Sequence, residues 1–174
     1  YDPHLASFLA YEALPPVSFS VIVSATAAGA ICAALLMKLK LSNIDEILLR
    51  SHALVIFSTA LILTAILVFF QVPGRAYLYP LVWFVNGFSY ELLIISSNII
   101  LQQLCPPDNI GRVSMSFRSV QMLCIIIGPS LGTILIIAAG RSAPFVAAAC
   151  MAFLTASVSI AVYLYLYRQR KKRH

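Results

Sequence analysis

Five stretches of roughly twenty residues, almost free of charge, follow one another through this chain, and a water-soluble domain of such length has too little interior to hide them. They lie at about 18–37, 53–72, 76–101, 119–140 and 143–166. As helices, each is long enough to cross a hydrocarbon core of about 30 Å. Composition agrees: 61% of the 174 residues are hydrophobic and 10% are charged, against roughly a quarter charged in soluble proteins. The expected fold is all-α, a polytopic membrane bundle of five transmembrane helices with the lipid bilayer as its solvent.

The net charge of +6 could suggest nucleic acid, but its placement does not. Arg168, Arg170, Lys171, Lys172 and Arg173 crowd the last seven positions, beside the fifth span, where they read as a cytoplasmic tail touching anionic headgroups. No nucleic-acid partner is expected. Counted on alternate sides of the spans, Lys38, Lys40, Arg50, Arg112, Arg118 and those five fall on one side; Arg75 and Arg141 fall on the other. The positive-inside rule then puts the C-terminus in the cytoplasm of a cell membrane, inner or plasma. Five crossings put the start of the chain outside, with no signal peptide to carry it there. The expectation is a C-terminal piece of a longer polypeptide, with residues 1–17 the end of a preceding span and its outer loop.

Glu91 is the only acid within any of the five spans. A carboxylate at that depth costs several kcal/mol unless paired, hydrated or neutralised, which makes it the first candidate for proton coupling or a solute path. A structural pair with a group on another helix is the competing reading. Asn86, Tyr90 and Gln121 are the other polar candidates. Asn86 and Tyr90, four apart, share a helix face; Glu91 lies about 140° round from Asn86, so the three cannot converge on one narrow cavity. Ala25, Gly29 and Ala33 recur every four residues in the first span, a stripe that admits close approach of another backbone, although alanine is common in spans anyway. Ser58, Thr59 and Thr64 in the second span are expected to bond back to their own helix. Trp83 and Tyr77, Tyr79, Tyr163, Tyr165 and Tyr167 read as an interfacial belt. Cys32, Cys105, Cys124 and Cys150 have neither CxxC nor metal-ligand spacing and are expected to be free; His4 and His52 stand alone, so no metal site is expected. No cofactor is indicated, and without a Walker-type loop ATP is not the expected energy source.

The segment from Asn98 to Thr133 carries a resemblance. Asn98 and Gln102 or Gln103 close the third span. Pro106-Pro107 and Asp108 follow, then Gly111-Arg112-Val113, then a helix holding Gly128-Pro129-Ser130-Leu131-Gly132. This run resembles the tenth-to-eleventh helix region of major facilitator superfamily transporters, in the drug and siderophore exporter branch. The resemblance implies that the five spans correspond to helices eight to twelve of a twelve-helix fold completed by an N-terminal half. It implies gate contacts for Arg112, Arg118 and Asp108 on the cytoplasmic face, though plain topology anchoring would also account for these residues. It implies a kinked, closely packed helix at Gly128, Pro129 and Gly132. Gly111 suits a tight turn. The connection Lys38 to Arg50 departs from the family, lacking the Asp-Arg-x-Gly-Arg run of its cytoplasmic loops.

The function so implied is secondary active transport by alternating access: proton-coupled efflux of a small organic solute, with no covalent chemistry. Two other classes stay open. A non-transporting scaffold or receptor fragment needs only the small-residue stripes. A membrane-embedded lipid-modifying enzyme would need clustered Asp, His or Arg near an interface, and this chain offers scattered singles.

Overall fold

With no water in a bilayer core to satisfy backbone N–H and C=O groups, apolar runs of this length are held as helices. The computed structural model, which describes residues 16–40, 45–70 and 75–171, is all-helical. The helices are α1 (Pro16–Lys40), α2 (Glu46–Phe70), α3 (Arg75–Leu104), α4 (Ile110–Ala139) and α5 (Ala143–Lys171), with one 3₁₀ turn at Pro107–Asn109. All five are long and apolar enough to cross a membrane. Residues 1–15, which include His4, the turn at Pro73-Gly74 and the tail residues Lys172 and Arg173 lie outside the described residues.

Each helix exceeds its apolar window because polar flanks continue the turn. The largest difference is at α4, which begins at Ile110, so most of the expected connection 102–116 is helical. Gly111 is accordingly in the first helical turn and makes no tight bend; a Cβ there would meet nothing within 4 Å. Local chemistry sets the boundaries. The Ile47 amide donates to Asp45 Oδ1 at 3.0 Å, capping the start of α2. Gly140, at φ +90°, ends α4 in a conformation that favours glycine, and its amide donates to the Ile136 carbonyl at 2.9 Å.

Packing puts the helices in the row α1, α3, α2, α5. Ile22 of α1 joins Tyr79 and Trp83 near the start of α3, with Leu67 and Val68 near the end of α2. Towards the opposite end, Ala33, Ala53 and Leu92 form a second cluster. Thus α1 and α3 run parallel, and α2 runs against them. On the far side of α2, Leu54 packs on Ala152 and Ala156 of α5, small side chains that let the helices close up. The buried Ser58 hydroxyl donates across this seam to the Ala149 carbonyl at 2.9 Å. That corrects the expectation of a bond within its own helix. Thr59 and Thr64 do bond back, to Val55 and Ala60.

Two further expectations change. Trp83 and Tyr79 are core residues, 8% and 0% exposed, because both project between α1 and α2; Tyr77, at 86%, keeps the outward position of a belt residue. The helix α4 stands apart from the row. It touches only the segments that adjoin it in sequence, and apart from buried Gly132 its described residues are half-buried or exposed.

Candidate functional site

Glu91 lies 16 positions after Arg75 and 13 before Leu104. At the rise of a helix that is about 24 Å from one end and about 20 Å from the other, the middle of the span. Its setting follows from the α1–α3 seam. Gly29 of α1 and Gly87 of α3 face each other's helices so closely that neither site has room for a methyl group. A Cβ on Gly29 would run into the Phe84 carbonyl oxygen and lie 2.9 Å from the Phe88 amide nitrogen; one on Gly87 would run into the Thr26 carbonyl oxygen. Glu91 is seven positions on from Phe84, four from Gly87 and three from Phe88, so it continues the α1-facing stripe by one turn. Glu91 is half-buried, and among the described residues its carboxylate has neither a hydrogen-bond nor an ion-pair partner.

The other polar candidates do not join it. Tyr90 is 50% exposed and turns to α2, where its ring lies 6.3 Å from that of Phe57. Asn86 is partly buried, four positions from Tyr90 on the same side of α3. Gln121 is exposed on the detached helix α4. Helix periodicity places Glu91 on the side of α3 that carries Gly87 and Phe88, while Tyr90 lies beside Phe57 of α2. Around the midplane the buried hydroxyls are satisfied locally. Ser89 bonds to the Val85 carbonyl at 2.9 Å and Ser96 to that of Leu92 at 2.7 Å, whereas the side chains of Glu91 and Asn86 and the buried Trp83 Nε1 have no hydrogen-bond partner among the described residues.

At the end of the bundle where α3 stops and α4 begins, Arg112, Arg118 and Asp108 are exposed, and no ion pair joins them to another described residue. One polar contact does tie helices together there. The Gln103 amide donates to Glu46 Oε1 at 2.9 Å, linking the last turn of α3 to the first of α2.

The glycine motif lies within α4. The helix is unbroken through Pro129, whose carbonyl accepts from Thr133 at 3.0 Å. A Cβ on Gly128 would meet nothing within 4 Å, so no close packing is made there among the described residues; Gly132 is buried. Gly29, in contrast, packs as its stripe foretold, with Ala33 fully buried.

Sequence reasoning missed Gly87, Gln103 with Glu46, and the Ser58 bridge. Gly87 carried a usable signal, a glycine one helical turn from the sole intramembrane acid. The four cysteines are free, and no group of three or more His, Cys, Asp or Glu that could hold a metal occurs among the described residues. A groove between α2 and α3 is lined by apolar residues and Thr59, and none of the candidate residues lines it. No protein-family model, no curated protein and no solved structure matches this chain.

Proposed function

We propose that this chain is the C-terminal helical part of a secondary active transporter of the major facilitator type, exporting a small organic solute in exchange for protons. The observation that carries the reading is Glu91: a carboxylate at the midpoint of an apolar helix, without a partner among the described residues. Such groups persist in membranes where a proton, an ion or a cationic solute uses them. Two further features support it. The glycine contact below Glu91 locks α1 to α3, so a helix pair can move as a unit past a neighbour. The detached α4, with Gln121, Gly128 and Pro129, leaves a long face for helices of an N-terminal half.

On this reading the chain works by rocking of two halves about a midplane site. The basic residues at 38–50, 112–118 and 168–173 hold the gate side in the cytoplasm of the cell membrane. Arg112, Arg118 and Asp108 then find their partners on the opposing half, in one conformation only.

The test is Glu91→Gln in the full-length protein. Neutralising the side chain while keeping its shape is expected to abolish proton-driven efflux from vesicles, with insertion and folding unchanged. Undiminished efflux would remove the role assigned to Glu91.

A further inference from the structure

We propose that Arg50 holds the phosphate of a zwitterionic phospholipid, at the end of the bundle where α2 begins. The site is separate from Glu91 and does not depend on the role given to that residue. Arg50 is half-buried, and among the described residues it has neither a hydrogen-bond nor an ion-pair partner. A guanidinium partly out of water and without an anion is costly. Glu46, one turn earlier on α2, is placed to pair with it, yet its Oε1 accepts from Gln103 of α3 instead, at 2.9 Å. Ser97 of α3 is in the same condition as Arg50: half-buried and without a partner among the described residues, whereas Ser96 beside it bonds to the Leu92 carbonyl.

Two contacts bring Arg50 and Ser97 to one level. Because α2 and α3 run antiparallel, equal steps in opposite directions from a contact arrive opposite each other. Arg50 lies seven positions before Phe57 and Ser97 seven after Tyr90, two residues whose rings are 6.3 Å apart. Each lies also four positions beyond Leu54 and Leu93, which pack in one cluster. Further out, the bond between Gln103 and Glu46 keeps the two helices together.

Depth and charge select the occupant. Arg50 is eight positions from the middle of the 25-residue helix α2, about 12 Å along it, so its long side chain reaches the boundary of the hydrocarbon core. Lipid phosphate stands at that level, and the guanidinium fork matches two of its oxygens. The Ser97 hydroxyl is free to donate to a third. Asp45 and Glu46 follow about 6 Å further towards water. The order along α2 is therefore a cation inside and two anions outside, the complement of a headgroup that carries phosphate inside and ammonium outside. A carboxylate on another helix would answer Arg50 but leave both acids without a counterpart, and a headgroup without a cation would leave them so as well.

The full-length protein, stripped of lipid in detergent, is titrated with phosphatidylethanolamine, phosphatidylglycerol or inorganic phosphate, and the adducts are counted by native mass spectrometry. Phosphatidylethanolamine is expected to bind several-fold more tightly than phosphatidylglycerol and to stay bound when inorganic phosphate is added. Arg50→Met, which keeps an apolar stem, is expected to abolish that preference. Lys38→Met, which removes an exposed cation at the same end of the bundle, is expected to leave it intact. Equal losses in the two variants would reduce the effect to general surface charge and overturn the proposal. Equal affinity for the two lipids would overturn it by leaving the acids no part in binding. Displacement by inorganic phosphate would assign Arg50 to a soluble anion, and absence of any lipid adduct would assign it to a side chain of another helix; either result overturns the proposal. The comparison of the two lipids needs no variant, so the test holds even if Arg50→Met fails to fold.

Discussion

Replacing Gly29 with alanine tests the helix seam that positions Glu91. The added methyl group meets only backbone: the Phe84 carbonyl, whose carbon would lie 3.0 Å away, and the Phe88 amide nitrogen at 2.9 Å. Ordinary contact begins at 3.4 Å, so α1 and α3 must part by at least 0.5 Å (3.4 less 2.9) to clear the nitrogen, and further to clear the oxygen. No rotamer change relieves it. A gap of that size forfeits a quarter or more of each contact energy along the seam, which includes the buried Ile22, Ala33 and Leu92. Overpacking of this kind costs about 2 kcal/mol, a roughly thirtyfold fall in the ratio of folded to unfolded protein. Trp83, the only tryptophan, lies on this seam and reports its opening as the full chain is titrated with a denaturing detergent. Gly128→Ala is the control: it adds the same methyl group where nothing lies within 4 Å. Equal midpoints for the two variants would refute the reasoning.

Other outcomes follow from the same geometry. Ser58→Ala removes the hydroxyl bridge to α5 and is expected to cost roughly 0.6 kcal/mol, the usual worth of such a bond in a membrane, while Thr59→Val, which loses a bond within one helix, costs less; equal losses would show the bridge to be idle. Trp83, 8% exposed among Ile22, Leu67 and Val68, should resist quenching by acrylamide. Quenching as strong as that of a free indole would return it to the interfacial belt.

Much of this molecule is legible from residue order. Lipid removes the backbone's alternative hydrogen-bond partners, so a run of about twenty apolar residues leaves one local answer, and the five helices follow. Periodicity adds which residues share a face: it puts Asn86 with Tyr90 and turns Glu91 away from both. It also marks Gly29 within a stripe that admits a close neighbour. Hydropathy cannot tell a tyrosine at a headgroup from one in a protein interior, since both sit in apolar sequence. Tyr79 and Trp83 read as belt residues for that reason, although both are buried.

What only the tertiary structure decided is which faces meet. In a membrane, lipid tails and helix faces are equally apolar, so the pattern that reveals a core in water is largely erased. The row α1, α3, α2, α5 rests instead on small-scale fit, such as Gly29 against the Phe84 backbone and Ser58 reaching the Ala149 carbonyl. By the same logic a Cβ on Gly128, a glycine in an equally apolar span, would meet no described residue of another segment within 4 Å. A glycine in lipid-soluble sequence offers room for close approach, and the partner that takes it is chosen by shape across the whole bundle.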